Sequence, residues 1–129
     1  KAKESAGETE RILFGARSVG ELKVLTANVN EADANKLRQM GDLLRDKAPN
    51  VVGVLATVNG EKITFLAVCG KEAVAKGIKA GDIIKTVTAI CGGKGGGKPD
   101  SAMGGGTDIS KLDNALACVD DFVSQKLGL

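Results

Sequence analysis

Eight of the fifteen residues from Gly92 to Gly106 are glycine, and two lysines, Lys94 and Lys98, stand among them. Without a Cβ, glycine reaches positive φ and lets backbone N–H groups come close to another molecule, at a cost in folding entropy. Backbone amides beside ammonium groups are chemistry for an anion, since such contacts hold a phosphate backbone without reading base sequence. Lys79, Lys85 and Lys111 flank the segment and can add to the same field. The competing reading is structural: the glycines allow tight helix packing inside the domain and the lysines are merely solvated. A mixed role reconciles the two.

Other chemistries fail on residue type. Gly92 to Lys98 matches Gly-x4-Gly-Lys, but Pro99 stands where a magnesium-binding Ser or Thr belongs, and the preceding segment reads as a helix rather than a strand. A Gly-x-Gly-x-x-Gly fingerprint cannot be threaded through Gly92 to Gly97, because its last position falls on Lys98 or Asp100. Acid-base work would rest on Asp100, Ser101, Thr107 or Asp108 with no histidine or tyrosine to share it. Asp100 reads instead as a turn residue after Pro99, and Thr107-Asp108 as the approach to a helix. Cys69, Cys91 and Cys118 lack a histidine to activate them and are too widely spaced for a zinc site or a disulfide framework. Each lies in an apolar stretch and is expected as a buried thiol in a reducing cytosol.

At 129 residues with 43% apolar content, the chain is the size of one α/β domain that buries a core without staples. It has no Trp, no Tyr and three Phe, so stacking on bases is poorly supported. The net charge of +2 is small, but between Lys71 and Lys111 seven lysines face four acids, a local positive field around the glycines. No stretch has the ~20 apolar residues of a membrane span, and the chain reads as cytoplasmic.

The elements that must position the segment follow from periodicity. Residues 1 to 10 are polar and read as a linker or the end of a preceding helix; a start at Lys1 suggests a piece of a longer protein. Ile12 to Val19 and Leu22 to Val29 form a first hairpin about Gly20-Glu21. Asn30 is expected to cap a helix whose first turn holds Glu31 and Asp33, whose buried face carries Leu37, Met40 and Leu44, and which Pro49 ends. Gly41 within it hints at close packing against the sheet. Val51 to Val58 and Lys62 to Cys69 flank Asn59-Gly60, read as a type I′ turn, and the first of these strands is apolar enough to be central. A short helix runs from Glu72 to Lys76. A second helix, opened by Gly81 and carrying Ile83, Ile84, Val87 and Ile90, delivers the chain into the glycine segment, taken as a loop between two helices. Ser110 and Asp113 suggest a capping box for a last helix with Leu112, Leu116, Val119, Val123 and Leu127 on one face. The fold class is a single small domain with a mixed β-sheet covered by helices.

Gly-Gly-Lys-Gly-Gly-Gly-Lys-Pro-Asp from Gly92, then Ala102, Gly105-Gly106-Thr107-Asp108 and a terminal amphipathic helix resemble the C-terminal domain of bacterial alanyl-tRNA synthetases. That domain belongs to the DHHA1-like group, named after the DHH phosphoesterases. The resemblance covers residues from about 18 to the end, including Lys79-Ala80-Gly81, within a domain placed at 11–129. Lys98 stands where the family more often has Arg, and Gly104 where it often has Ala. The resemblance implies binding to the outer corner of tRNA(Ala), with help in coupling aminoacylation to editing. It also implies partnership with the synthetase's remaining domains, and ATP and zinc chemistry there but no cofactor here. Carried onto this chain, it marks Gly92, Gly93, Lys94, Gly95, Gly96, Gly97 and Lys98, supported by Gly105 and Gly106. Two other readings stay open: the substrate-binding domain of a DHH-type phosphoesterase, and a dimerisation or protein-interaction module forming a homodimer.

Overall fold

The computed structural model describes residues 16–29 and 33–128. Six strands form one mixed sheet in the order β1-β2-β3-β4-β6-β5, where β1 is Arg17–Val19, β2 Leu22–Asn28, β3 Val51–Asn59, β4 Lys62–Cys69, β5 Lys94–Gly97 and β6 Ser101–Gly106. Helix α1 (Ala34–Lys47) connects β2 to β3, the parallel pair, while every other pairing is antiparallel. After β4 come α2 (Lys71–Ala75) and α3 (Ala80–Ile90), and the chain closes with a 3-10 turn (Ile109–Lys111) and α4 (Leu112–Leu127).

Three layers result from how strand side chains alternate. Leu25, Leu55, Leu66 and Val68 meet Leu37, Met40 and Leu44 of α1 on one face. Val52, Val54, Phe65 and Ala67 meet Ile83, Ile84 and Val87 of α3 and Ala115, Val119 and Val123 of α4 on the other. β3 is buried from Val51 through Thr57 and sits between β2 and β4, the central place its continuous apolar run predicts. Gly41 lets α1 settle onto the sheet: a Cβ there would stand 2.7 Å from Val68 Cγ1 and 2.8 Å from Leu66 Cδ2. Each fully buried leucine or methionine contributes about 1.5–3 kcal/mol, which fixes α1 and the arginines it carries.

Several local expectations shift. The β3–β4 hairpin forms, but Asn59 pairs with Lys62, so its loop is Gly60-Glu61 rather than Asn59-Gly60. The first hairpin repeats this arrangement, with Val19 opposite Leu22 around Gly20-Glu21. Both glycines hold positive φ, 62° at Gly20 and 64° at Gly60, at the first loop position, where a Gly-Glu loop can supply it. Of the first predicted strand, residues 12–15 lie outside the described residues, as do Asn30 and Glu31. The cap of α1 is Asp33, whose carboxylate accepts from the Lys36 N–H at 2.8 Å. The capping box before α4 does not form. The N–H groups of Thr107 and Asp108 both donate to Cys91 O, at 3.0 and 2.9 Å, tying the chain to the end of α3. Ser110 Oγ then donates to Asp108 Oδ1 at 2.5 Å, and α4 starts only after the 3-10 turn.

Candidate nucleic-acid interface

The glycine segment lies between two helices, as expected, yet it is a β-ribbon and not an open loop. Lys94 pairs with Gly105, Gly95 with Gly104, Gly96 with Met103 and Gly97 with Ala102, leaving β5 as the sheet's edge. Lys98 N–H donates to Ser101 O at 3.0 Å, closing the tip around Pro99-Asp100. The tip is anchored from both sides: Ala80 N–H donates to Pro99 O at 2.8 Å, and Cys69 N–H to Asp100 O at 3.0 Å. Composition concealed these strands, because glycine is a poor strand former by propensity and here it is long-range pairing that decides.

The pleat divides the glycines by role. Gly95, Gly104 and Gly106 face α3: a Cβ at Gly95 or Gly104 would stand 2.5 or 2.7 Å from Ile84 Cγ2, and one at Gly106 would stand 2.7 Å from Cys91 Cβ. The added atom at Gly93 would collide with the Gly105 carbonyl, and at Gly97 it would stand 2.8 Å from Ala102 Cα. Gly92, at φ 69°, ends α3 as a Schellman cap, with Gly92 N–H donating to Ala89 O at 3.4 Å and Gly93 N–H to Thr88 O at 2.7 Å. Five of the sequence-marked glycines (Gly92, Gly93, Gly95, Gly97 and Gly106) thus have a packing or capping task. Gly96 and Gly105 are different, facing away from α3. A Cβ on Gly96 meets only Lys85 Cε, at 4.0 Å, and one on Gly105 only Ile63 O, at 3.1 Å.

That second face is open because α1 lies over β3 and β4, and reaches the ribbon through two arginines. Arg38 Nε donates to Met103 Sδ at 3.2 Å, and Arg45 Nη1 to Asp100 Oδ2 at 3.0 Å. Between helix and ribbon lies a groove of about 420 Å³ lined by Arg38, Arg45, Gly96, Gly97, Lys98, Asp100, Ser101, Ala102 and Met103. Three cations there face one carboxylate, Asp100. Arg38 and Arg45 are two of the four arginines in the chain and were not among the sequence-marked residues. They are seven residues apart, two helical turns, and so share a side of α1. That spacing is visible in the sequence, whereas its juxtaposition with the ribbon depends on β6 pairing with β4.

Of the marked lysines, only Lys98 is brought into this groove. Lys98 lines it, and exposed Lys94 starts the edge strand. The Lys85 stem comes alongside Gly96 from α3. Exposed Lys79 precedes Ala80 and so stands beside the tip. Lys111 belongs to the 3-10 turn beyond β6, its Nζ 3.9 Å from Asp108 Oδ2.

The three thiols are free. Burial, reinforced by the charge of Asp100, pushes Cys69 up to about 12. Burial first and then Asp108 raise Cys91, and burial first and then Asp121 raise Cys118, which is only partly buried. All three stay protonated at neutral pH and are poor nucleophiles or metal ligands. Among the described residues, no three His, Cys, Asp or Glu side chains come together to hold a metal ion, and no helix is long and apolar enough to cross a membrane.

The family model described as "DHHA1 domain" matches residues 21–125, and the chain belongs to that family. It is 43% identical over 127 residues to the alanine–tRNA ligase of Methylobacillus flagellatus, an alignment covering 98% of this chain and 14% of the relative's length. The fold matches the crystal structure of the C-Ala domain of Aquifex aeolicus alanyl-tRNA synthetase with a TM-score of 0.78 and 28% identity, covering 84% of this chain and 97% of that one. A Vibrio pGpG-specific phosphodiesterase shares the fold at a TM-score of 0.54 and 10% identity, covering 97% of this chain and 40% of that one.

Proposed function

We propose that this domain binds tRNA as part of an alanine–tRNA ligase, gripping the folded outer corner by shape and phosphate backbone rather than by base sequence. The observation that carries the reading is the open ribbon face, where Gly96 presents bare backbone beside Arg38, Arg45 and Lys98 and Gly105 continues the same face toward Lys94. Arginine's planar fork and lysine's point charge are complementary phosphate donors. A groove without aromatic side chains suits a folded RNA more than unstacked bases. The likeness to alanine–tRNA ligases over nearly the whole chain supports tRNA as the RNA. Held at the tRNA corner, the domain would help the 3′ end pass between aminoacylation and editing sites in other parts of the enzyme, where ATP and zinc would be used.

The test is a filter-binding titration against intact tRNA and a length-matched unstructured RNA, each at low and physiological salt. Preferential, salt-sensitive binding to intact tRNA is expected. Equal binding to both RNAs, or none, would overturn the reading.

A further inference from the structure

Arg45 and Asp100 line two cavities at once: the 420 Å³ groove over the ribbon, and a larger cleft of about 1000 Å³ on the far side of the tip, floored by Pro49, Cys69 and Val74. Their ion pair is therefore the wall between them. Arg45 Nη2 is also held at 2.5 Å by Asp42 on its own helix, one turn back, while its Nε is shielded from solvent and has no hydrogen-bond partner. The tip backbone is pinned at Pro99 O and Asp100 O, so Asp100 can leave Arg45 by turning its side chain alone. Both carboxylates are more than half exposed, at 66% for Asp42 and 53% for Asp100, so neither is locked in place by burial.

We propose that Asp100 is a resident counter-ion that occupies the phosphate seat on Arg45 in the free domain and is displaced when RNA binds. This rests on the tRNA-binding reading. An incoming phosphate takes Nη1, the edge that Asp100 leaves, while Asp42 keeps Nη2 and the orientation. Displacing Asp100 opens the wall, so that the groove and the larger cleft become one trough across the tip. Polyanions that cannot present a phosphate to this edge gain nothing against Asp100, which makes the carboxylate a selectivity device.

The test is tRNA-transcript affinity for the wild-type chain, Asp100→Asn, Arg45→Gln and the double variant, with thermal midpoints showing that each is folded. Releasing Arg45 from an exposed pair should tighten Asp100→Asn by about two- to fivefold, and this gain should vanish in the Arg45→Gln background. An Asp100→Asn affinity that is unchanged or weaker overturns the proposal, as does an equal gain in the Arg45→Gln background, which would be ordinary charge repulsion. The Asp100 side-chain carboxyl ¹³C resonance in the wild-type chain gives a readout free of variants: it should shift on RNA addition as the carboxylate leaves Arg45, and a resonance that stays put counts against the exchange. Failure of the wild-type chain to bind tRNA would instead overturn the parent reading and this one with it.

Discussion

Adjacent glycines on opposite faces of one strand should respond oppositely to the same methyl group. At Gly95 the new Cβ would stand 2.5 Å from Ile84 Cγ2 and 2.8 Å from Met103 O, and would collide with Gly104 Cα. Two of those three neighbours are backbone of the paired strand and cannot rotate away, so Gly95→Ala lies at the upper end of overpacking costs, about 3 kcal/mol. For a domain of this length that lowers the melting temperature by about 10 °C. At Gly96 the nearest atom is Lys85 Cε, at 4.0 Å, and φ is not positive. Gly96→Ala should therefore hold or raise stability by about 0.4–1 kcal/mol, by narrowing the unfolded ensemble. On the RNA side the order reverses. The Gly96 methyl projects into the groove and, if it displaces one charge-assisted hydrogen bond, costs about tenfold in tRNA affinity. Thermal melts and filter binding on the two variants read both quantities. A Gly95→Ala variant as stable as wild type, or a Gly96→Ala variant that melts early with unchanged affinity for tRNA, would refute the division of the ribbon into a packing face and a binding face.

Replacing Lys94 and Lys98 together by alanine should weaken tRNA binding and flatten the slope of log affinity against log salt by about 1.4–1.8, two phosphates' worth of released counterions, while circular dichroism stays unchanged. Arg38→Ala should behave the same way with about half the change in slope; unaltered slopes in both variants would move the interface elsewhere. Cys69 is protonated in the folded chain up to about 12, against an ordinary 9.0. Its contribution to stability is thus fully present below pH 9.0 and is lost as pH rises toward 12, because the unfolded chain gives up the proton first. Cys69→Ala should flatten that alkaline decline in a series of urea melts, and an identical decline in the variant would contradict the assignment.

Much of the scaffold was legible because burial leaves a period in the sequence. Leu37, Met40 and Leu44 mark the buried face of α1, and the unbroken run from Val51 marks a central strand. The first turn sits at Gly20-Glu21 as expected, whereas the second slipped by one residue because Asn59-Gly60 is the stronger local signal, while the register of Ile63 and Phe65 against β3 sets the loop at Gly60-Glu61. The ribbon was hidden for a different reason: Gly95 and Gly104 have no side chains to alternate, so the strand signature is erased where α3 needs closest approach. The glycine-lysine cluster announced a special segment without dividing its glycines between structure and surface. Arg38 and Arg45 drew no notice in the sequence, and only β6 beside β4 brings the ribbon to the edge of α1 where they meet it. Long-range pairing of that kind leaves no mark on either segment alone.

The central claim is that RNA lies against the α1 side of the glycine ribbon. An amide NMR titration of the ¹⁵N-labelled domain with intact tRNA tests it most directly. The expected result is perturbation concentrated at Lys94, Gly96, Lys98, Gly105 and Arg38, with the amides of β1 and α4 nearly still. Perturbation gathered on β1 and α4 with the ribbon glycines unmoved would contradict it.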